Sequence, residues 1–200
     1  MNDIKGQSVS IIKTILDYIV TLLCLTLLIP IILILSLSIK LGGKGPVIYS
    51  QRRLGRNGKP FNIYKFRSMY FGNEEGIALI SDRDDKRITP LGKFMRKYKF
   101  DEIPNFFNVL KGDMSIIGPR PEQQFFVDQI IQREPRYMYL RNIKPGITSW
   151  GQVQYGYASD VEKMIKRMEY DLFYLENRSF LFDLKIAWHT IALIVNGRGI

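Results

Sequence analysis

Two hundred residues supply one compact core and exclude two ordinary domains joined by linkers. Lysine and arginine total 29 against 19 acidic residues, a net charge of +10, so the surface favours anions such as phosphates, acidic lipid or nucleic acid, and charge alone does not choose among them. A single cysteine, Cys24, excludes an internal disulfide, and a single histidine, His189, leaves no His or Cys cluster for zinc.

From Tyr18 to Ile39 no residue is charged and most are Leu, Ile or Val, which meets the roughly 20-residue length that crosses a bilayer core as helix. The run exceeds the apolar region of a signal peptide and no small-residue cleavage site closes it, so it reads as retained. Pro30 lies near the middle, where it lacks an amide donor and clashes with the preceding turn, and a kink is expected there. Basic residues lie on both flanks, Lys5 and Lys13 before the run and Lys40, Lys44, Arg52 and Arg53 after it, whereas a spanning helix usually has a one-sided excess. Two paths stand at this point: a re-entrant helix that turns at Pro30, and an ordinary kinked span.

After Gly42, Gly43 and Gly45, the stretch PVIYSQRRLGRNGKPFNIYKFRSM holds two strand-like runs around Asn57-Gly58, which predicts a hairpin with strands near 47–53 and 61–67. The polar segment 72–88, with Asp82, Asp84 and Asp85, reads as a loop or site lid. Thr89 and Pro90 are an N-cap and N1 proline opening a short helix that carries Lys93, Arg96 and Lys97. A second helix is expected from Asp101 to just before Gly112, with Ile103, Phe106, Phe107 and Leu110 on its buried side. Residues 113–121 read as a rigid loop, Pro121 opens a helix to about Glu134, and a loop, KPGITSWGQVQYGY, follows. Ser159 and Glu162 form a capping-box pattern for a helix to about Glu176, with Val161, Met164, Ile165, Met168 and Leu172 on its apolar face. The last helix, about 180–196 and stopped by Gly197, is interrupted by Asp183, Lys185 and His189, so it is expected to lie in an interface or pack on the body.

Reactive and anion-binding residues concentrate in RKYKFDEIPNFFNVLKGDMSIIGPRP, from Arg96 to Pro121. Asp101 and Glu102 adjoin, so on a helix their side chains diverge by about a hundred degrees, which does not suit two acids flanking one glycosidic bond. Chemistry at phosphorus fits better, because a carboxylate can attack a phosphoryl group while Arg, Lys and a magnesium ion offset the repelling charge. The helix dipole would keep Asp101 ionised. An ordinary helix start explains the same residues, with Asp101 as N-cap and Glu102 in the first turn. Asp113 reads either as a metal ligand or as a turn residue.

The motifs QRRLGRNGKPFNIYKFRSM, ITPLGKFMRKYKFDEIPNFFNVLKGDMSIIGPRPE, KPGITSWGQVQYGY and DLFYLENRSFLFDLKIAWHTI stand in an order and spacing that closely resemble the bacterial sugar transferases, the monotopic phosphoglycosyl transferases acting on undecaprenyl phosphate. The resemblance covers nearly the whole chain and implies the catalytic module without the extra N-terminal membrane domain of longer relatives. It implies an α+β, mainly helical fold: a Pro30-broken re-entrant membrane helix over 1–42, then one catalytic unit over 43–200 on the cytoplasmic face of the bacterial inner membrane, with a small β-hairpin or sheet and amphipathic interfacial helices. It implies a covalent reaction in which Asp101 attacks the phosphorus nearest the sugar of a nucleotide sugar, with UDP the expected nucleotide, and undecaprenyl phosphate then takes the sugar phosphate. Glu102 completes an Asp-Glu dyad handling metal or a proton, and Lys65, Arg67, Arg96 and Arg120 match phosphate-facing positions. Magnesium is the implied cofactor, with Asp101 and Glu102 as its ligands, and no nucleic acid is implied as partner.

The chain departs from the family pattern in four places. Ile29 stands where a serine often precedes the membrane proline, and Ser149, Gly151 and Gln154 differ from the usual PGITGWAQVN, which bears on nucleotide and sugar contacts. Two other classes compete with the transferase: a basic membrane protein binding acidic lipid or nucleic acid, and a membrane phosphatase passing the phosphoryl group to water.

Overall fold

The computed structural model describes residues 2–72 and 85–197, with side chains from residue 11 onward. The protein is mostly helical, with two small sheets among the described residues. The first element, α1 (Asn2–Leu41), is helical on both sides of Pro30. One stripe of α1 is buried along its length, with Asp17 and Thr21 before Pro30 and Leu35 and Ile39 after it. The other faces expose Ile11, Ile15, Ile19, Leu23, Leu27, Leu33 and Leu37. By length and composition, residues Ile11–Leu41 are apolar enough to cross a membrane, with a mean hydropathy of 2.9 over an 18-residue stretch.

The expected hairpin is present as β1 (Ile48–Leu54) and β2 (Pro60–Phe66), paired antiparallel with Tyr49 opposite Lys65. Its connection is longer than a two-residue turn: Arg56–Gly58 form a 3₁₀ turn in which Asn57 (φ 57°) and Gly58 (φ 71°) take the left-handed conformation that Asn-Gly tolerates. The predicted lid lies largely outside the described residues, Asp82 and Asp84 included. Its ends are joined by an antiparallel bridge between Met69 and Ile88.

Thr89 caps α2 (Pro90–Lys97) as expected, its hydroxyl accepting the Gly92 N–H at 2.9 Å. A Cβ on Gly92 would stand 1.9 Å from the Ser68 carbonyl oxygen, so the glycine lets α2 settle on the end of the hairpin. The next helix differs from expectation. Phe100–Glu102 form a 3₁₀ turn, and α3 (Asn105–Lys111) begins after Pro104 and ends at Gly112 (φ 85°). Asp101 therefore caps no α-helix. The buried side expected for this segment is met only in part: Ile103 is buried and Phe106 packs on the core, but in α3 Asn105, Asn108 and Val109 are buried whereas Phe107 and Leu110 are exposed. The reason lies in β2, whose outer edge has unpaired backbone groups. Asn108 donates to the Asn62 carbonyl at 2.7 Å and accepts the Tyr64 N–H at 3.2 Å, standing in for a third strand.

Part of the expected loop after α3 is a strand, β3 (Ser115–Ile117), which pairs in parallel with β4 (Gly146–Thr148). Asp113 sits in the turn before β3, its N–H on the Asn108 carbonyl. Between the strands run α4 (Gln124–Arg133) and α5 (Tyr137–Leu140). A short helix, α6 (Trp150–Gln154), follows β4. The cap of α7 (Val161–Glu176) is Asp160, one residue beyond the predicted Ser159, and its carboxylate accepts the Lys163 N–H at 2.8 Å. Met164, Met168 and Leu172 of α7 join Phe126, Val127, Ile130 and Leu140 in the largest core cluster. A second cluster fastens α1 to the body through Leu35, Ile39, Phe66, Met95 and Ile103. Helix α8 (Phe180–Val195) buries Ile186 and exposes Leu181, Leu184, Trp188, Ile191 and Val195.

Candidate active site

Four elements converge on Asp101 and Glu102, which are only 7% exposed. Lys65 reaches in from β2 and bonds Glu102 Oε1 at 2.7 Å. Arg120, from the turn after β3, brings its Nη1 to 3.5 Å from the same oxygen. Lys99 takes Glu102 Oε2 at 3.6 Å from a left-handed backbone conformation (φ 56°), which folds its side chain back over the 3₁₀ turn. Arg96, one helical turn after Gly92, donates to the Ser68 hydroxyl at 3.0 Å and favours the anionic form of Asp101. Four cations thus face two carboxylates. Their charge difference, four minus two, leaves a surplus of two that a diphosphate would neutralise.

The two acids are not equivalent. Glu102 is buried, yet Lys65, Lys99 and Arg120 together hold its carboxyl well below the usual range. Asp101 makes no hydrogen bond or salt bridge among the described residues; burial raises its pKa, Lys65 opposes this, and the neighbouring Glu102 adds to it. Burial thus outweighs the helix-dipole effect expected from sequence. A desolvated carboxylate without donors is the more basic and the more nucleophilic of the pair, while one locked by three cations is a fixed counter-charge.

The sequence-predicted residues Lys65, Arg96 and Arg120 are gathered here; Arg67 is not. Its guanidinium donates to the carbonyls of Ile39, Gly43 and Lys44, so it caps the end of α1 and ties the hairpin to that helix. Sequence reasoning missed Lys99, because nothing in KYKFDE marks the left-handed residue that turns a helix-flanking lysine inward. It also missed the charged layer behind Arg120, formed by Arg53, Glu122, Arg167 and Asp171. Arg167 and Asp171 lie one turn apart among the apolar residues of α7, and that spacing was the available signal.

Two of the departures in the 146–154 region have structural reasons. Ser149 caps α6, accepting the Gln152 N–H at 3.0 Å. A Cβ on Gly151 would meet the Arg167 carbonyl oxygen at 2.7 Å and Asp171 Cγ at 3.0 Å, so glycine allows α6 to lie against α7. Gln152 is buried with both amide atoms unpaired among the described residues.

The family model described as bacterial sugar transferase matches residues 8–197. The chain is 44% identical over 188 residues to a UDP-N-acetylgalactosamine-undecaprenyl-phosphate N-acetylgalactosaminephosphotransferase of Aeromonas hydrophila, covering 94% of this chain and 44% of that protein. It is 40% identical over 177 residues to a UDP-glucose:undecaprenyl-phosphate glucose-1-phosphate transferase of Escherichia coli (strain K12), covering 88% and 38% respectively. A third relative, the uncharacterized sugar transferase EpsL of Bacillus subtilis (strain 168), is 37% identical over 179 residues, covering 90% of this chain and 84% of EpsL. The chain thus spans less than half the length of the first two relatives.

Proposed function

This chain belongs to the bacterial sugar transferase family, and from that premise we propose that it transfers a sugar 1-phosphate from a UDP-sugar to undecaprenyl phosphate through a covalent intermediate on Asp101. The observation that carries this reading is the inequality of the two acids, a buried carboxylate without a hydrogen bond or salt bridge among the described residues beside one bound by three cations. An oxygen of Asp101 attacks the sugar-proximal phosphorus, the bond from that phosphorus to the bridging oxygen breaks, and UMP leaves with the electron pair. An oxygen of undecaprenyl phosphate then attacks the same phosphorus, breaking the acyl-phosphate bond and restoring the Asp101 carboxylate. Lys65, Arg96, Lys99 and Arg120 draw the phosphates in and stabilise charge on the oxygens as it develops. Glu102 keeps Lys65, Lys99 and Arg120 in place.

Magnesium is the cofactor this mechanism implies. Among the described residues no three His, Cys, Asp or Glu side chains cluster as a metal cage. The oxygen donors fit magnesium nonetheless, since that ion is commonly held by one or two carboxylates plus substrate phosphates. Among the described residues Asp101 has no hydrogen-bond partner, and Asn105, one turn further on, has a buried Oδ1 without a partner. Asp101 and Asn105 would hold the ion, in place of the expected pair Asp101 and Glu102, because both Glu102 oxygens are taken by Lys65, Lys99 and Arg120; the ion would neutralise diphosphate charge.

The same reading makes α1 a re-entrant membrane helix, with the active site on the cytoplasmic face. Its support is that both halves of α1 lie against one body. Before Pro30, Lys13 pairs with Asp183 at 2.6 Å and Asp17 accepts the Ser115 hydroxyl at 2.7 Å; after it, Leu35 and Ile39 pack on Phe66 and Met95. A helix that crossed the bilayer away from the body would not make both sets of contacts. Single cysteines at Lys5→Cys and Lys44→Cys, in a Cys24→Ser background, are expected to react with an impermeant thiol reagent only after spheroplasts are permeabilised. Reaction of one site in intact spheroplasts would show a spanning path.

The activity itself is tested by incubating the protein with labelled UDP-glucose or UDP-N-acetylgalactosamine, undecaprenyl phosphate and magnesium. The expected outcome is UMP release and a lipid-linked diphosphosugar with at least one donor of a wider UDP-sugar panel. Phosphate release without lipid product would point to the phosphatase reading instead.

A further inference from the structure

Tyr49, Gln51 and Arg53 alternate along β1 and stand opposite Lys65, Ile63 and Phe61 of β2, so one face of the hairpin carries both Lys65 and Arg53. Lys65 ends at Glu102 Oε1. Arg53, whose side chain is 14% exposed, takes no part in the reaction above, and in the sequence it reads only as part of the basic flank after the apolar run. Its contacts fall on the turn that carries Arg120.

The Arg53 guanidinium works as a fork. Nε and Nη2 donate to Gln51 Oε1 at 3.0 and 2.6 Å, which fixes the plane of the group to its own strand. Nη1, with two hydrogens left, donates to the Pro121 carbonyl and to Glu122 Oε2, both at 3.3 Å. Those acceptors belong to the two residues that follow Arg120. The backbone ties the same turn on either side: the Leu54 N–H donates to the Glu122 carbonyl at 3.0 Å, and the Gly146 N–H to the Pro119 carbonyl at 2.9 Å. Arg167 takes the other oxygen of Glu122. Pro119 and Pro121 fix their own φ, and Pro121 disfavours helical backbone at Arg120. With its flanks tied to β1, β4 and α7, the turn sends the Arg120 side chain to Glu102 Oε1, the oxygen that Lys65 also takes.

We propose that Arg53 is a positioning residue: it straps the turn over residues 119–122 to the hairpin, and so fixes the Arg120 guanidinium relative to the Lys65 ammonium. Those are the two groups that meet on Glu102 Oε1 and would share the diphosphate of the nucleotide sugar. This deepens the proposed function and rests on it for the catalytic part of its test. Arg53 bonds Gln51, Pro121 and Glu122 and touches neither Asp101 nor Glu102 in any described contact, so its effect passes through Arg120. A residue that only supported the fold would affect activity whether or not Arg120 were present. One that acted by charge alone would be replaced by lysine without loss.

The test is a double-mutant cycle of Arg53→Lys with Arg120→Ala, read in kcat and KM for the UDP-sugar and, separately, in the affinity for magnesium pyrophosphate by calorimetry. Lysine keeps the positive charge but cannot bond Gln51, Pro121 and Glu122 at once. With Arg120 present, Arg53→Lys is expected to lower kcat/KM by about tenfold and to weaken pyrophosphate binding; in the Arg120→Ala background the further change is expected to be under about threefold. Arg96→Ala is the control background. Arg96 is placed by α2 and the Ser68 hydroxyl, so there Arg53→Lys is expected to keep its full effect. Gln51→Leu releases one edge of the fork and is expected to show the same pattern in smaller degree, which keeps the test available if Arg53→Lys does not fold. Equal effects in all three backgrounds, or no effect of either variant with Arg120 present, would overturn the proposal. Non-additive pyrophosphate binding in a protein that turns over no nucleotide sugar would retain the positioning role and remove the transferase reading.

Discussion

Asp101→Asn is expected to abolish turnover, by on the order of 10⁴-fold or more, while leaving the fold intact. The amide is nearly isosteric but cannot attack phosphorus, so no acyl phosphate forms. The fold should tolerate the change because Asp101 makes no hydrogen bond or salt bridge among the described residues, and caps no helix. Its carboxyl is raised by burial, so ionisation costs stability: the contribution is fully present below the unfolded-state pKa and is lost as pH rises through the folded one. At pH 7 the neutral variant should therefore be at least as stable as wild type in a thermal melt in detergent. The carboxyl also sets the pH dependence of the wild-type rate: since the ionised form attacks, kcat/KM should fall on acidification as Asp101 takes up a proton. Turnover close to wild type in Asp101→Asn would remove the nucleophile from the mechanism.

Glu102→Gln should have the opposite balance, with a large loss of stability accompanying the loss of activity. The carboxylate lies between Lys65, Lys99 and Arg120, and an amide leaves three half-buried cations facing one another with Asp101 as their remaining counter-charge. Breaking a buried ion pair from one side costs about 3 kcal/mol or more, which in a chain of this length corresponds to a fall in Tm of roughly 6–12 °C. The pH dependence identifies the cause. Because the folded-state pKa of Glu102 is depressed, its contribution is present above the unfolded value of about 4.3 and is lost as pH falls through the folded one. Melts at pH 7 and at successively lower pH should show wild type losing this increment and the variant having none to lose. An unchanged Tm at pH 7 would mean that the cations are compensated elsewhere.

Much of this architecture was legible because local signals and tertiary packing agreed. The apolar run, the Thr89-Pro90 helix start, the Asn57-Gly58 turn and the apolar stripe of α7 each follow from periodicity or backbone preference, and the structure has them within a few residues. The failures share one cause: a polar side chain whose partner is distant in sequence. Asn108 reads as a surface residue of a helix until β2 supplies an open edge, and that contact displaces Phe107 and Leu110 outward. Arg67 reads as a phosphate ligand by its motif, yet it closes the end of α1 because three carbonyls converge there. Lys99 enters the site through a left-handed backbone angle that no pattern of charges encodes. The site itself was legible through resemblance more than spacing, since Asp101 and Glu102 alone read more readily as a helix start. Their inequality emerged only from the placement of three cations on one of them.

The most direct test of the account is peptide mass spectrometry of the wild-type protein after incubation with a UDP-sugar and magnesium in the absence of undecaprenyl phosphate. The account predicts a mass gain of one sugar phosphate on the peptide containing Asp101, lost when undecaprenyl phosphate is added and absent in Asp101→Asn. Formation of the lipid product with no adduct on Asp101 at any time, or with the adduct on another residue, would contradict it.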